Sequence, residues 1–233
     1  MRARINRQEM RQATLPIIGK LKTGYKAKSA SGKEYPKSTD YFIATDKWAQ
    51  LFHKEHGEKP SVIPVVFISD DDNVNCQERW EYRNDSGDLV AYGDGECFDV
   101  WVTKDKVYRQ FCTEQYPEIM QQVKLKHPSK NEWKVTLTLR FMIPTIPVQG
   151  LWQLTTKGGE SSIPQIIAAY DQIKAHRGTV SGTLFDLSVE FAKSQKPGDA
   201  SRYPVITLNA NADPERIQQV SSKFIDNQKL LSK

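Results

Sequence analysis

The sequence predicts an α+β fold, an antiparallel-rich mixed sheet with a few packed helices and a C-terminal helix. Three observations predict it. The run EWKVTLTLRFMIP alternates Val135, Leu137, Leu139 and Phe141 with Thr136, Thr138 and Arg140, the two-residue period of a strand with one buried and one wet side. Between Glu78 and Val102 short apolar runs separated by turn residues read as an antiparallel meander. From Gly150 to Glu190 the chain spells strand, tight connection, helix and strand. Mixed order with prominent hairpins argues against a doubly wound parallel sheet.

Taken in order, residues 1–13 read as a basic arm or short helix, and LPIIGKLKTGYKAK, starting at Leu15, as a strand that leaves through the polar stretch SASGKEYPKS. Tyr41, Phe42 and Ile43 form a short strand running into Asp46, an N-cap candidate, and Trp48, Ala49, Leu51 and Phe52 give a helical apolar face ended by Gly57 and Pro60. SVIPVVFIS is a buried strand ending in Asp70, Asp71 and Asp72. Residues 105–126 have helical spacing in Val107, Phe111, Ile119, Met120 and Val123, interrupted by Pro117, which predicts two short helical pieces. Leu151 to Thr156 is a strand, Gly158 and Gly159 the turn, and Ser161 or Ser162 caps a helix lined by Ile163, Ile166, Ile167, Tyr170 and Ile173 that Gly178 stops. TLFDLSVEFA and YPVITLN are the last strands. Asp213 and Pro214 open a final helix with Ile217, Val220, Phe224 and Leu231 toward its partner. The expected organisation is an arm over 1–13, an α+β body over 14–212 that divides, if it does, near 130, and a C-terminal helix over 213–233.

With 233 residues the chain can bury a core without staples. Cys76, Cys97 and Cys112 are an odd number without CxxC spacing, which reads as three free thiols in a reducing, cytoplasmic setting. No signal-like apolar run opens the sequence and no stretch of eighteen apolar residues occurs, so neither export by that route nor membrane spanning is expected. The net charge of +5 is unevenly placed. Residues 1–37 hold ten basic side chains against Glu9 and Glu34, a net of +8, which leaves −3 for the remainder. A basic arm on a nearly neutral body fits contact with phosphates, or a merely soluble tail. The candidate nucleic-acid or partner contacts are Arg2, Arg4, Arg7, Arg11, Lys20, Lys22, Lys26 and Lys28, with Tyr25, Tyr35, Tyr41 and Trp48 nearby as stacking or core rings.

Catalytic sets are weak by comparison. Asp70, Asp71 and Asp72 at a strand end could hold Mg²⁺, or simply be a solvated strand exit. Glu132 and Lys134, with Asp94 or Glu96, have a spacing found in metal-dependent nucleases that also arises by chance. His53 and His56 lie three apart on a helix, where both could face a metal with Cys76, Cys97 or Cys112 as further ligands, or simply be solvated histidines at a helix end. No GxSxG, Walker loop or post-strand GxGxxG occurs, and Gly93 and Gly95 read as a tight turn. The residues assign no metal site, cofactor or catalytic group.

Several blocks carry a resemblance: GKLKTGYK, YPKSTDYFIATDKWA, ERWEYRN and AYGDGECFDVW in the first half, then FMIPTIPVQGLWQLTTKGGESSI, GTLFDLSVEF and YPVITL. In order and spacing they resemble the recombination directionality factor-like family of phages and integrated elements, whose members work with large serine integrases. The likeness covers roughly residues 15–210 and is most specific at Gly150, Leu151 and Trp152 with the Ser-Ile helix start. It implies an accessory protein without chemistry of its own that binds the integrase on DNA and turns integration into excision. Where relatives carry a cysteine cluster suggestive of zinc, this chain has only Cys97 and Cys112, so no metal site is carried over.

Overall fold

The strand from Leu15 and the short strand at Tyr41 to Ile43, separate in the sequence reading, belong to one long hairpin. The computed structural model describes residues 15–194, 198–211 and 213–231, so the arm with Arg2, Arg4, Arg7 and Arg11 lies outside the described residues. Strand β1 (Ile17–Lys28) pairs antiparallel with β2 (Glu34–Thr45). Only 29–33 turn, with Ser29 N–H donating to Lys33 O at 2.9 Å and Lys33 N–H to Ser29 Oγ at 3.1 Å. Half of SASGKEYPKS, residues 34–38, is thus strand and not connection, because β1 supplies ladder partners that outweigh weak intrinsic propensity.

Helix α1 (Ala49–His56) follows. Asp46 does not cap it: its φ is 79°, the N-cap position falls on Trp48, and no side chain caps there. Strand β3 (Val62–Val66) and the single turn α2 (Asp72–Asn75) lead into the meander β4 (Cys76–Arg83), β5 (Leu89–Gly93), β6 (Cys97–Val102) and β7 (Val107–Cys112). Residues 107–112 are therefore a strand, where helical spacing predicted a helix; the second piece, α3 (Ile119–Lys126), is helical as expected. Then come β8 (Lys134–Phe141), β9 (Leu151–Thr156), α4 (Ser162–Arg177), β10 (Leu184–Lys193), β11 (Arg202–Ala210) and α5 (Pro214–Leu231). No serine side chain caps α4; Ser162 Oγ instead accepts from Ile206 N–H at 2.9 Å, tying the helix start to β11.

The sheets have the orders β2-β1-β9-β8-β4-β5-β6-β7 and β11-β10-β3. Among the strands of the described residues only β1 and β9 pair in parallel, apart from a single parallel bridge between Phe67 and Ser181. Pro64 is accommodated because β3 is an edge of its sheet, where a missing N–H costs no ladder bond. The larger core joins one face of the eight-stranded sheet, through Leu21, Leu137, Leu139, Phe141, Trp152 and Leu154, to Phe185, Leu187 and Val65 of the small sheet, with Ile166 and Tyr170 from α4. A second cluster packs Ile119 and Val123 of α3 against Tyr82, Phe98 and Val100.

The block Gly150-Leu151-Trp152 has a physical reason. Gly150 sits at φ 154°, and a Cβ there would lie 2.3 Å from Ile18 Cγ2. Its absence lets Leu151 N–H reach Pro16 O at 2.9 Å and starts the parallel pairing. Trp152 then lies beneath Gly19, its partner in register, and 5.5 Å from the Phe52 ring.

Register also overturns the reading of three free thiols. Cys97 stands directly opposite Cys112 across the β6–β7 hairpin, and the two form a disulfide, leaving Cys76 as the free cysteine among the described residues. Burial and neighbouring carboxylates push the Cys76 thiol up to about 12, so it is inert at neutral pH.

Candidate nucleic-acid and partner interface

Alternation along β1 places Lys20, Lys22, Lys26 and Lys28 on one side, and all four are exposed. The four predicted lysines are thus brought together on one strand. Beyond Gly24 the hairpin leaves the core and becomes a two-stranded ribbon. Tyr25 pairs with Lys37 and Ala27 with Tyr35, so both rings share one side of it, each a little under half exposed. Lys26 reaches Glu34 at 3.5 Å, but both ends are open to water and the pair is worth little. Tyr41 lies under Lys59, and Trp48 under Lys47.

Lys20 and Lys22 continue onto the face of the eight-stranded sheet that points away from the core. Register carries it across the strands from Lys20 to Gln153 and Arg140, and from Thr155 to Thr138 and Gln77. Next come Thr136 beside Arg79, Lys134 beside Glu81, then Tyr92 and Asp99. The wet side expected for β8 is only partly wet: Thr136 and Thr138 are buried in this central strand, leaving Lys134 exposed and Arg140 half-buried. Arg140 Nη1 donates to Asn73 O at 3.1 Å and Nη2 to Gln77 Oε1 at 3.4 Å.

Glu81 organises this face. Its side chain is 4 % exposed, and it accepts from Arg79 at 2.6 Å and Arg83 at 2.9 Å. Burial alone would raise the carboxyl, but these hydrogen bonds and charges together hold it below the usual carboxylate range. Arg79 is in turn stacked 4.8 Å from the Tyr92 ring centroid. One buried anion thus orients two guanidinium groups without neutralising both.

Sequence reasoning missed Arg79, Arg83, Arg140 and Lys157 and weighed Lys134 only as part of a nuclease pattern. The signal was present in ERWEYR, where strand alternation sets Arg79, Glu81 and Arg83 opposite Trp80 and Tyr82. Lys157 carried no local signal, since its place follows from the β8–β9 register.

The three consecutive aspartates do not converge. Asp70 accepts from Thr179 Oγ1 and from the Val180 and Ser181 N–H groups at 2.8–3.0 Å, and the bonds from Ser181, Thr179 and Val180 lower its pKa. Asp71 caps α2 through Asn73 N–H at 2.9 Å, and Asp72 pairs with Lys174 at 2.6 Å. Asp94 holds the β5–β6 turn through Glu96 and Cys97 N–H, while Glu132 pairs with Lys124. Among the described residues no group of three His, Cys, Asp or Glu side chains is placed to hold a metal ion.

His53 and His56 also take separate roles, His53 Nδ1 lying 3.1 Å from Gly57 O and His56 Nε2 3.0 Å from Thr145 Oγ1. Burial, the main cause, lowers the pKa of His56 from 6.5 to about 4, with Glu55 opposing and Lys223 and Arg216 adding to the shift. On acidification the unfolded chain takes up this proton first. Stability from His56 is therefore complete above about pH 6.5 and lost as pH falls toward 4. With partial exposure allowed for, the loss is on the order of 1–2 kcal/mol. Urea midpoints at pH 7 and pH 5 are expected to differ less in His56→Gln than in the unsubstituted protein, and equal differences would refute the assignment.

Fold and face together define an α+β protein whose distinguishing surface is a cationic sheet face extended by a basic ribbon. The family model for Gp3-like proteins, described as recombination directionality factor-like, matches residues 18–211, and the chain belongs to that family. The resemblance read from its sequence blocks is borne out. No curated protein and no solved structure matches the chain. No helix among the described residues is long and apolar enough to cross a membrane.

Proposed function

We propose that the protein is a non-enzymatic accessory factor that binds a large serine integrase on DNA, in the cytoplasm, and turns recombination toward excision. Family membership carries this reading, and the cationic face supports it. The integrase performs strand cleavage and joining; the factor acts by differential binding. It must stabilise the excisive synapse more than the integrative one, since equal affinity for both shifts nothing. A bias of roughly 3–5 kcal/mol is ample. In this reading Lys20, Lys22, Lys26 and Lys28, with Arg2, Arg4, Arg7 and Arg11 of the arm, contact phosphates or acidic groups of the assembly. No cofactor takes part.

The test is recombination by the cognate integrase with and without purified factor. Addition is expected to suppress recombination of the integrative pair of attachment sites and activate the excisive pair. An integrase indifferent to the factor would refute the proposal. A second reading, a nucleic-acid-binding subunit of another phage, mobile-element or defence complex, is favoured by the exposed Tyr25 and Tyr35 beside the ribbon lysines. Binding to DNA without any effect on integrase would select it. A Mg²⁺-dependent nuclease is the weakest reading, because Asp70, Asp71, Asp72 and Glu132 each serve a separate structural contact.

A further inference from the structure

We propose that Arg83, Lys134 and Lys157 form a phosphate-binding site on the open sheet face that takes the backbone of DNA alongside the β1 lysines. The three side chains line a cleft of about 230 Å³ together with Glu81, Gly87, Asn131 and Glu132, room for a phosphate group. Its two carboxylates are already engaged: Glu81 by Arg79 and Arg83, Glu132 by Lys124. Lys134 and Lys157 form no ion pair among the described residues, so the cleft holds surplus positive charge. Burial, reinforced by Arg83 and Lys134 and opposed by Glu81, pushes the Lys157 ammonium below its ordinary pKa. A bound anion relieves that cost.

The lie of the cations selects a phosphodiester chain over an isolated acidic side chain. The register that pairs Lys20 with Gln153 and Leu21 with Leu154 sets Lys22 level with Thr155 and Lys157 one pleat further along β9. From strand spacing and rise, Lys22 and Lys157 are about 8 Å apart at their Cα atoms. Lys134 on β8 and Arg83 on β4 follow one and two strands beyond Lys157, so the cleft extends sideways from Lys22 across the sheet while Lys26 and Lys28 run out along β1, a spread of charge suited to the repeating phosphates of a nucleic-acid strand and larger than a single carboxylate needs. Tyr92, held by Arg79, and Tyr108, 5.4 Å from it, add rings on the same side.

The site stands whether or not an integrase is the partner, and its test uses the full chain and DNA alone. Anisotropy of a labelled 30-base-pair duplex is measured across a salt series with the unsubstituted protein and with Lys134→Gln/Lys157→Gln. Two lost phosphate contacts are expected to lower the slope of log K against log salt by about 1.8 and to weaken low-salt binding at least tenfold. A charge-matched control, Lys54→Gln/Lys104→Gln, on exposed residues elsewhere, is expected to keep the original slope. An equal unfolding midpoint in urea shows that the variant is folded. An unchanged slope, an equal loss in the control, or no duplex binding by the unsubstituted protein overturns the proposal. So does loss of integrase capture without DNA in the double variant while duplex binding persists, which would assign the cleft to an acidic protein surface.

Discussion

Truncating Trp152 to alanine is expected to destabilise the protein by about 3–5 kcal/mol, the range for a large aromatic removed from a close-packed core. The side chain is 1 % exposed and stands at the junction of three elements. Across β8 it faces Phe141, across β1 it fills the space over Gly19, and toward α1 it meets Phe52. Loss of the indole opens a cavity that strands of a regular sheet cannot close by collapse. The complementary substitution, Gly19→Ala, errs in the opposite direction: a Cβ would lie 2.4 Å from the ring, so the indole must move or the parallel pair must part. Urea unfolding measures both. Trp152→Phe keeps much of the volume and is expected to lie between Trp152→Ala and the unsubstituted protein. A midpoint for Trp152→Ala equal to the unsubstituted one would remove this residue from the core.

In the function proposed above, replacing Lys20, Lys22, Lys26 and Lys28 together by Gln is expected to weaken assembly on integrase-bound DNA by on the order of 10²-fold at low salt. The salt slope should fall by about 3.6, close to 0.9 for each contact on duplex DNA. All four side chains are exposed, and among the described residues only Lys26 of the four shares an ion pair, so folding should be nearly unaffected. The midpoint of urea unfolding checks that point separately. Removing Arg2, Arg4, Arg7 and Arg11 instead isolates the arm. An unchanged salt slope in the lysine variant would place the contact surface elsewhere on the molecule.

Periodicity in the sequence was informative where one element had one unambiguous period. The β8 alternation, the α4 stripe and the strand-turn-helix-strand unit after Gly150 were all readable, because their apolar faces meet the core directly. Reading failed where two periods compete. In VYRQFC, Val107 and Phe111 are four apart and mimic a helix, yet pairing with β6 makes the segment a strand. That one error hid the disulfide, since only the strand register sets Cys112 opposite Cys97. The wet side of β8 differs for another reason: Thr136 and Thr138 lie in a central strand, beside Arg79 and Gln77 of β4 and, for Thr138, Thr155 of β9, and no local pattern reports cross-strand neighbours. Of the proposed contact surface, the β1 lysines are legible as a local charge run. The cleft is not, because Arg83, Lys134 and Lys157 come from three separate stretches that adjoin only when β4, β8 and β9 align.

Between Lys22 and Gly24 the β1–β2 ladder breaks: Lys22 faces Ile43 but Gly24 faces Ser38, so β2 spends four residues against the single Thr23. Those residues send Phe42 into the core and bond its N–H to Pro60 O before pairing resumes. The outer hairpin is thereby set off in register from the part of the ladder next to β9. Its length sets a reach that descent can adjust freely: one added residue pair per strand carries the tip about 7 Å outward while the packed interior keeps its shape.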